Sequence, residues 1–352
     1  MPVNFYGSPI FLSFVNFKKC GVDEKAVHQI FEQFSQMRAI VVGDAMVDTY
    51  LWGKVERISP EAPIPIVSIT DREHRLGGAA NVSLNLRELG AEPVLFTVVG
   101  NDDKGKKFRK ILQKKNLPEH GIFEDPNRMT TVKSRIISKG QHIARVDEET
   151  DKFIDARLEE QIVAGVRKEI ENSKVDVIIF VDYDKGVITP TLFEKVNQLA
   201  HEHGIYTAAD PKKRNFNCYK NIGLFKPNFT EFVEGTGYPL KKGDLDSLRE
   251  AAHALREKQN FGLIFITLSE LGVFISNGVK EQYYPAVVRH VADVSGAGDS
   301  VVSVASLAMA AGIPPKTMAL MSNFAGGMVC EEPGVVPVDK NRLMELMKSQ
   351  NL

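Results

Sequence analysis

The chain has 352 residues, 43% hydrophobic and 25% charged, with a formal net charge of −1. That length suits one large α/β domain with an accessory piece, or two modest domains, in an ordinary soluble composition. The near-neutral balance leaves no basic footprint for nucleic acid or membrane surfaces, and no apolar run approaches the roughly 18 residues of a membrane span. Cys20, Cys218 and Cys330 are odd in number and far apart, with no metal spacing. They read as reduced thiols of a cytoplasmic protein. Residues 1–17 are mildly apolar without a basic leader region or a cleavage site, and read as an appendage.

In chain order, residues 23–38 predict a helix. Val27, Ile30, Phe31 and Phe34 recur at helical spacing, and Asp23 is a natural start residue. Residues 39–43 form a continuously apolar strand of the kind buried in a parallel sheet. It runs into Asp44 and Asp48. A polar pair at the carboxyl end of a strand is where open α/β sheets bind ligands, although Asp44 also reads as a turn or cap residue. Residues 50–55 and 64–69 look like strands, kept at an edge by Pro60, Pro63 and Pro65. Residues 130–146 form a second such patch, so a small sheet is expected outside the main one, built from segments of about 50–75 and 128–147. Between the patches, Gly77 and Gly78 permit close backbone approach, and Asn81 offers a donor and an acceptor to a pair of hydroxyls. A helix packed tightly on a strand would explain the same residues. After a strand at 93–99, Gly100-Asn101-Asp102-Asp103-Lys104-Gly105-Lys106 mimics a phosphate loop, but Lys107 stands where the magnesium-holding Ser or Thr belongs.

From residue 155 the chain alternates: helix 155–171, strand 175–181, helix 189–203, strands 205–209 and 222–225, helix 245–258, strand 263–267. The expected fold is therefore α/β, a mostly parallel sheet covered by helices on both faces. Right-handed crossovers would line Asp182, Asp210, Asn228 and Thr267 along one rim. The run Lys212-Lys213-Arg214 reads as a solvated loop, with phosphate contact the lesser alternative. Asn228 and Glu231 share a helix face and suit a hard cation that keeps its waters. They also form a capping box, and both readings can hold together. Residues 314–330 predict a late helix whose Met318, Met321 and Met328 read as core.

The strongest signal is Asp293-Val294-Ser295-Gly296-Ala297-Gly298-Asp299, followed by a small, apolar helical run. Its D-x-x-G-A-G-D pattern would arise by accident in fewer than about one chain in a thousand of this length. Gly296 and Gly298 let backbone N–H groups face a ligand at the positive end of a helix, which attracts phosphate. A carboxylate there, Asp299, repels what the hole attracts unless it serves as a base for the attacking hydroxyl.

This motif resembles the C-terminal signature of the PfkB, or ribokinase-like, sugar kinases. Val294 departs from the usual Thr, which leaves base and hole intact. The resemblance implies Asp299 as catalytic base and Gly296, Ala297 and Gly298 as anion hole, with ATP as phosphoryl donor. It implies magnesium organised by Asn228 and Glu231, largely through water. Gly77, Gly78 and Asn81 resemble the N-terminal glycine motif beside the sugar, with the Asn one residue early. Thr267, Ser269, Glu270 and Gly272 resemble the nucleotide-side turn, and Asn323 lies where the family packs a helix by the adenine. The small sheet would be a lid over the sugar and often a homodimer surface. Residues 38–348 would be the kinase domain, after an N-terminal extension and helix at 1–37.

Residues 57–65, the glycine motif and Asp182-Tyr183-Asp184-Lys185-Gly186 look like the bacterial heptose 7-phosphate kinases. That branch implies phosphorylation of the anomeric hydroxyl of D-glycero-β-D-manno-heptose 7-phosphate, on the route to ADP-heptose for lipopolysaccharide. Asp184 replaces a usual Gly, which leaves its backbone conformation open. The nucleotidyltransferase pattern of many relatives is absent from these residues, so only the kinase step is expected. Asp44, Asp48 and Asp182 would face the sugar, with Lys185 and Arg145 beside its existing phosphate. Other sugars (ribose, fructose, an aldonic acid) or an inactive sugar-binding scaffold are the alternatives.

Overall fold

The apolar strand expected at 39–43 becomes an inner strand of a nine-stranded sheet in the computed structural model, which describes residues 24–286 and 291–349. Asp23, Cys20 and the appendage at 1–17 lie outside the described residues. The strands are β1 (Arg38–Gly43), β2 (Ala45–Ile58), β3 (Pro65–Gly78), β4 (Glu92–Gly100), β5 (Ile122–Asp125), β6 (Val132–Ser138), β7 (Gln141–Glu148), β8 (Val177–Val181), β9 (Tyr206–Asp210), β10 (Leu224–Phe225), β11 (Leu263–Thr267), β12 (Val273–Ser276) and β13 (Glu281–Tyr284). The helices are α1 (Glu24–Phe34), α2 (Ala79–Glu88), α3 (Asp103–Lys114), α4 (Ala156–Asn172), α5 (Pro190–Glu202), α6 (Phe229–Thr236), α7 (Leu245–Gln259), α8 (Ala297–Ala310), α9 (Pro315–Val329) and α10 (Lys340–Ser349).

The central sheet runs β13-β12-β11-β10-β9-β8-β1-β4-β5. It is parallel from β11 to β5, and the antiparallel β12–β13 hairpin closes one edge. Alternate residues of β1 feed two cores. Val41 packs in a cluster with residues of α1, α2, α8 and α9, whereas Ile40 and Val42 pack with those of α4, α5 and α7. Burial on both faces explains why these strands are apolar throughout. Met318, Met321 and Met328 are buried core, as their spacing implies.

The second sheet, β3-β2-β6-β7, exists but reaches further than the sequence suggests. β2 and β3 are 14 residues each and pair from Ala45↔Gly78 to Ile58↔Pro65. The charged stretch at 71–75 hides this, because period-two alternation of polar residues on a half-covered sheet looks like loop. As a result Asp48, Gly77 and Gly78 lie at the root of the second sheet, one residue from β1. In register, Asp48 stands opposite Arg75 and Lys133, and Tyr50 opposite Glu73 and Arg135. These share one face.

Two local features settle open points. The Asp102 carboxylate accepts the N–H groups of Gly105 (2.7 Å) and Thr130 (2.9 Å), so the phosphate-loop mimic is an acid-capped start of α3. Asp184 adopts φ 55, the left-handed region a Gly would hold, which Asp tolerates better than most residues.

Candidate active site

The turn at residues 293–299 gathers the site. Asp293 accepts the N–H of Ser295 through Oδ1 and that of Gly334 through Oδ2, both at 3.0 Å. Gly296, at φ 82, then starts α8. The N–H groups of the first helical turn have no acceptor within the helix, and they carry its positive end. A Cβ on Gly298 would stand 3.9 Å from both Asp210 Oδ2 and Lys226 Nζ. The mouth of α8 therefore faces a buried ammonium, for Lys226 is 2% exposed and bonded to Asp210 Oδ1 at 2.9 Å. A helix end and an ammonium converge on one small volume, the electrostatics of an anion hole.

Asp299 borders that volume. It is 2% exposed, accepts the Tyr183 hydroxyl through Oδ1 and the Asn81 amide through Oδ2, both at 2.7 Å. Burial pushes its carboxyl up to about 7; the two hydrogen bonds oppose the rise, and the Asp210 and Asp48 carboxylates add to it. A carboxyl poised there can take a proton near neutral pH. Asn81 Oδ1 is buried with no partner among the described residues, a donor-seeking oxygen beside Asp299.

The structure corrects two sugar-facing expectations. Asp44 accepts the N–H groups of Tyr183 (2.8 Å), Lys185 (3.0 Å) and Val187 (2.9 Å). Asp182 accepts the Asp184 N–H (2.9 Å), the Asn215 amide (2.9 Å) and the Tyr219 hydroxyl (3.0 Å). The loop after β8 turns through Asp184 and Gly186 at positive φ, which strips its N–H groups of ladder partners. Both carboxylates satisfy those groups instead of a ligand. Gly77 and Gly78 serve close packing: a Cβ would fall 2.0 Å from Asp48 Oδ2 at Gly77 and 2.4 Å from the Asp44 carbonyl at Gly78.

Asp48 is held by Arg135 in a buried ion pair on the inner face of the second sheet. Further along, Lys133 bridges Asp147 and Glu149 (3.2 Å each), Lys185 pairs with Glu149 (2.8 Å), and Arg145 with Asp147 (3.0 Å). On the other flank, Asn228 and Glu231 form the expected capping box of α6, and Glu231 also pairs with Lys212. Lys212 sits over the Tyr183 ring at 5.2 Å. Burial opposes its charge, but Asp210 and Glu231 outweigh that and raise its pKa. The solvated-loop reading therefore fails for Lys212 and suits the exposed Lys213. Thr267, Ser269 and Gly272 form the turn after β11, whereas Glu270 is exposed and paired with Lys242 (2.7 Å). The Asn323 amide donates to the Pro285 carbonyl (3.1 Å).

Sequence reasoning does not single out Tyr183, Lys226 or Arg135 for the site. Lys226 directly follows β10, just before Pro227-Asn228, and that position was the available signal. Tyr50 is a further omission. Its buried hydroxyl accepts the Val335 N–H (2.7 Å), and Arg75 lies over its ring while donating to the Pro333 (2.9 Å) and Val335 (3.1 Å) carbonyls. The second sheet is thus latched to the segment that Asp293 ties to the anion-hole turn. Tyr50→Phe leaves the Val335 N–H buried without an acceptor and is expected to cost about 1–3 kcal/mol of stability, read as a lowered urea midpoint.

The chain is 36% identical over 332 residues to "Bifunctional protein HldE" of Geobacter metallireducens, covering 94% of this chain and 67% of that protein. For the protein of the same name in Trichlorobacter lovleyi the identity is 34% over 319 residues, covering 90% of this chain and 64% of that one. The chain thus spans about two thirds of the length of these relatives. Among solved structures, Escherichia coli phosphofructokinase-2 in complex with fructose-6-phosphate superposes with a TM-score of 0.73 at 16% identity, covering 88% of this chain and 98% of that one. Arabidopsis thaliana ribokinase complexed with ribose and ATP gives 0.69 at 17%, covering 89% and 99%. These two show a ribokinase-like fold. The pfkB family of carbohydrate kinases matches residues 37–341, and the chain belongs to that family: it is a sugar kinase, a phosphotransferase with an alcohol group as acceptor.

Proposed function

We propose that the chain transfers the γ-phosphoryl group of ATP to the anomeric hydroxyl of D-glycero-β-D-manno-heptose 7-phosphate, giving the 1,7-bisphosphate and ADP. The observation that carries the transfer chemistry is the buried Asp299 carboxyl, raised to about 7, beside the mouth of α8 and Lys226. Asp299 takes the hydroxyl proton as the sugar oxygen bonds to phosphorus and the bond to the ADP oxygen breaks. The charge on the transferring group meets the N–H of Gly298 and the Lys226 ammonium, while the Ala297 N–H donates to the Val294 carbonyl at 3.3 Å and holds the turn. Asn81 and Asp48 orient the sugar. Thr267, Ser269, Glu270, Gly272 and Asn323 form the nucleotide side.

No three His, Cys, Asp or Glu side chains converge to hold a metal among the described residues. With both capping-box oxygens engaged, the donors suit magnesium held mainly by phosphate and water, reached by Asn228 and Glu231 through that water. When bound, magnesium would screen the charge on the β- and γ-phosphates.

For the sugar, support comes from the resemblance at 57–65 and 182–186 and from relatives named HldE. The cations Lys133, Lys185 and Arg145 are the candidates for the 7-phosphate. A panel of sugars and sugar phosphates with magnesium and ATP, followed by ADP release, tests this. Lys185→Ala and Arg145→Ala should each raise KM for the phosphorylated heptose roughly 10- to 100-fold, the loss of a charge-assisted hydrogen bond of about 1.5–3 kcal/mol, with KM for ATP unchanged. Each of these cations already has a carboxylate partner, which favours an unphosphorylated sugar as the second reading. Equal use of phosphorylated and unphosphorylated heptose would establish it.

We also propose that the protein is a homodimer and, on the reading of its scattered cysteines as reduced thiols, that it is cytoplasmic. No helix among the described residues is long and apolar enough to cross a membrane. Ile58, Ile69 and Val146 on the second sheet and Ile64 in its β2–β3 loop are 43–59% exposed, apolar surface that a second copy would cover. Sedimentation should give twice the chain mass; a monomer at every concentration rejects the dimer.

A further inference from the structure

The phosphate-loop mimic leaves two lysines that the transfer reaction does not use. Lys104 and Lys107 are one turn apart on α3 and so lie on one face. With Arg72 and His74 of β3 and Thr49 of β2 they line a cavity of about 270 Å³. The cavity is on the back of the second sheet. Thr49 pairs with His74 and Leu51 with Arg72, and both pairs alternate with the inward Asp48, Tyr50, Glu73 and Arg75.

Its charge is unbalanced. Four basic side chains border it against a single lining carboxylate, Glu148, which pairs with Lys104. Lys107 Nζ lies 2.8 Å from His74 Nε2, and His74 Nδ1 lies 2.9 Å from Thr49 Oγ1. Glu73, the nearest acid in sequence, turns to the other face and binds Arg75 at 2.7 Å. Neither Arg72 nor Lys107 has an ion-pair partner among the described residues. Burial lowers the His74 pKa, and the positive fields of Lys107 and Arg72 lower it further. Arg72 and Lys107 stand exposed at its rim, where two cations without a carboxylate partner favour an anion between them.

We propose that this cavity binds a phosphate-bearing small molecule through Arg72, His74 and Lys107, at a site separate from the phosphoryl-transfer site. An imidazole, an ammonium and a guanidinium supply the forked and point donors that phosphate oxygens accept. The volume admits more than a bare ion, so a phosphate monoester and a diphosphate are both candidate forms of the same chemistry.

The test titrates the full chain with inorganic phosphate and with pyrophosphate at constant ionic strength, following the imidazole NMR signals of His74, assigned by their loss in His74→Gln. Saturable shifts and a higher His74 pKa are expected, with the tighter probe indicating monoester or diphosphate. In the Arg72→Ala/Lys107→Ala double variant the half-saturating concentration should rise at least tenfold. That variant should keep the parent's melting temperature and turnover, which report an intact fold and transfer site. Gly298→Ala, which narrows the anion hole of the transfer site, should leave the His74 response in place. Equal responses in parent and double variant, no response to either probe, or loss of the response in Gly298→Ala would each overturn the proposal. So would a double variant that breaks a dimer while neither probe moves His74, since a carboxylate of a second copy would then be the occupant.

Discussion

Asp299→Asn is expected to lower turnover by roughly 10²–10⁴ while the chain stays folded and binds nucleotide. The substitution keeps size and shape and removes only the proton-accepting charge. Its amide fits the same two neighbours. Tyr183 can donate to the new carbonyl, and Asn81, whose Oδ1 has no partner among the described residues, can rotate its amide to accept the new N–H. The pH profiles separate loss of a base from loss of structure. In the parent, kcat/KM should climb with pH and level off above about 7, as the carboxyl ionises; the Asn variant should lack that limb. Stability should move the other way. The folded carboxyl titrates near 7, above the roughly 3.9 of an unfolded Asp. Between those values the folded state holds a proton that the unfolded state has released, so this group's contribution to stability falls as pH rises. Asn carries no such term, and its melting temperature relative to the parent should rise from pH 5 to pH 8. Near-normal turnover in a folded Asn variant would remove Asp299 from the mechanism.

What could be read in advance follows from how many consecutive residues a feature needs. The turn at 293–299 places its hole and its carboxylate with seven neighbours in one chain segment, so the pattern carries the geometry. Buried parallel strands announce themselves as apolar runs, and β1, β8 and β11 were legible for that reason. Arg135 meets Asp48 only through the parallel register of β2 and β6, which no local pattern reports. Lys226 and Tyr183 arrive at the site from the ends of two separate strands, and each looks ordinary in its own segment. Asp44 and Asp182 mislead for a related reason. A carboxylate at a strand end serves a ligand or a sharp loop equally well, and only the positive φ of Asp184 and Gly186 shows that the loop claims both.

The two glycines of the hole should part company on substitution. Gly296 has φ 82, and a Cβ there would press to 3.2 Å from Asn81 Nδ2 and 3.3 Å from Val335 Cγ1. Gly296→Ala should therefore cost stability, about 1–2 kcal/mol from the left-handed backbone alone. Gly298 lies within α8 at ordinary φ, and its Cβ would meet nothing closer than 3.9 Å. The fold has room for a Cβ at Gly298. What it fills is the space between the helix N–H groups and Lys226, where the transferring oxygens would accumulate charge. Gly298→Ala should thus keep its melting temperature, since Gly within a helix costs roughly 0.5–1 kcal/mol relative to Ala. Turnover should fall about 10²–10³-fold, the effect of losing one such donor, worth about 2.7–4 kcal/mol in the transition state. The pair of measurements is discriminating: a Gly298→Ala enzyme that melts early but turns over normally when cold would mean that the mouth of α8 is packing and not an anion hole.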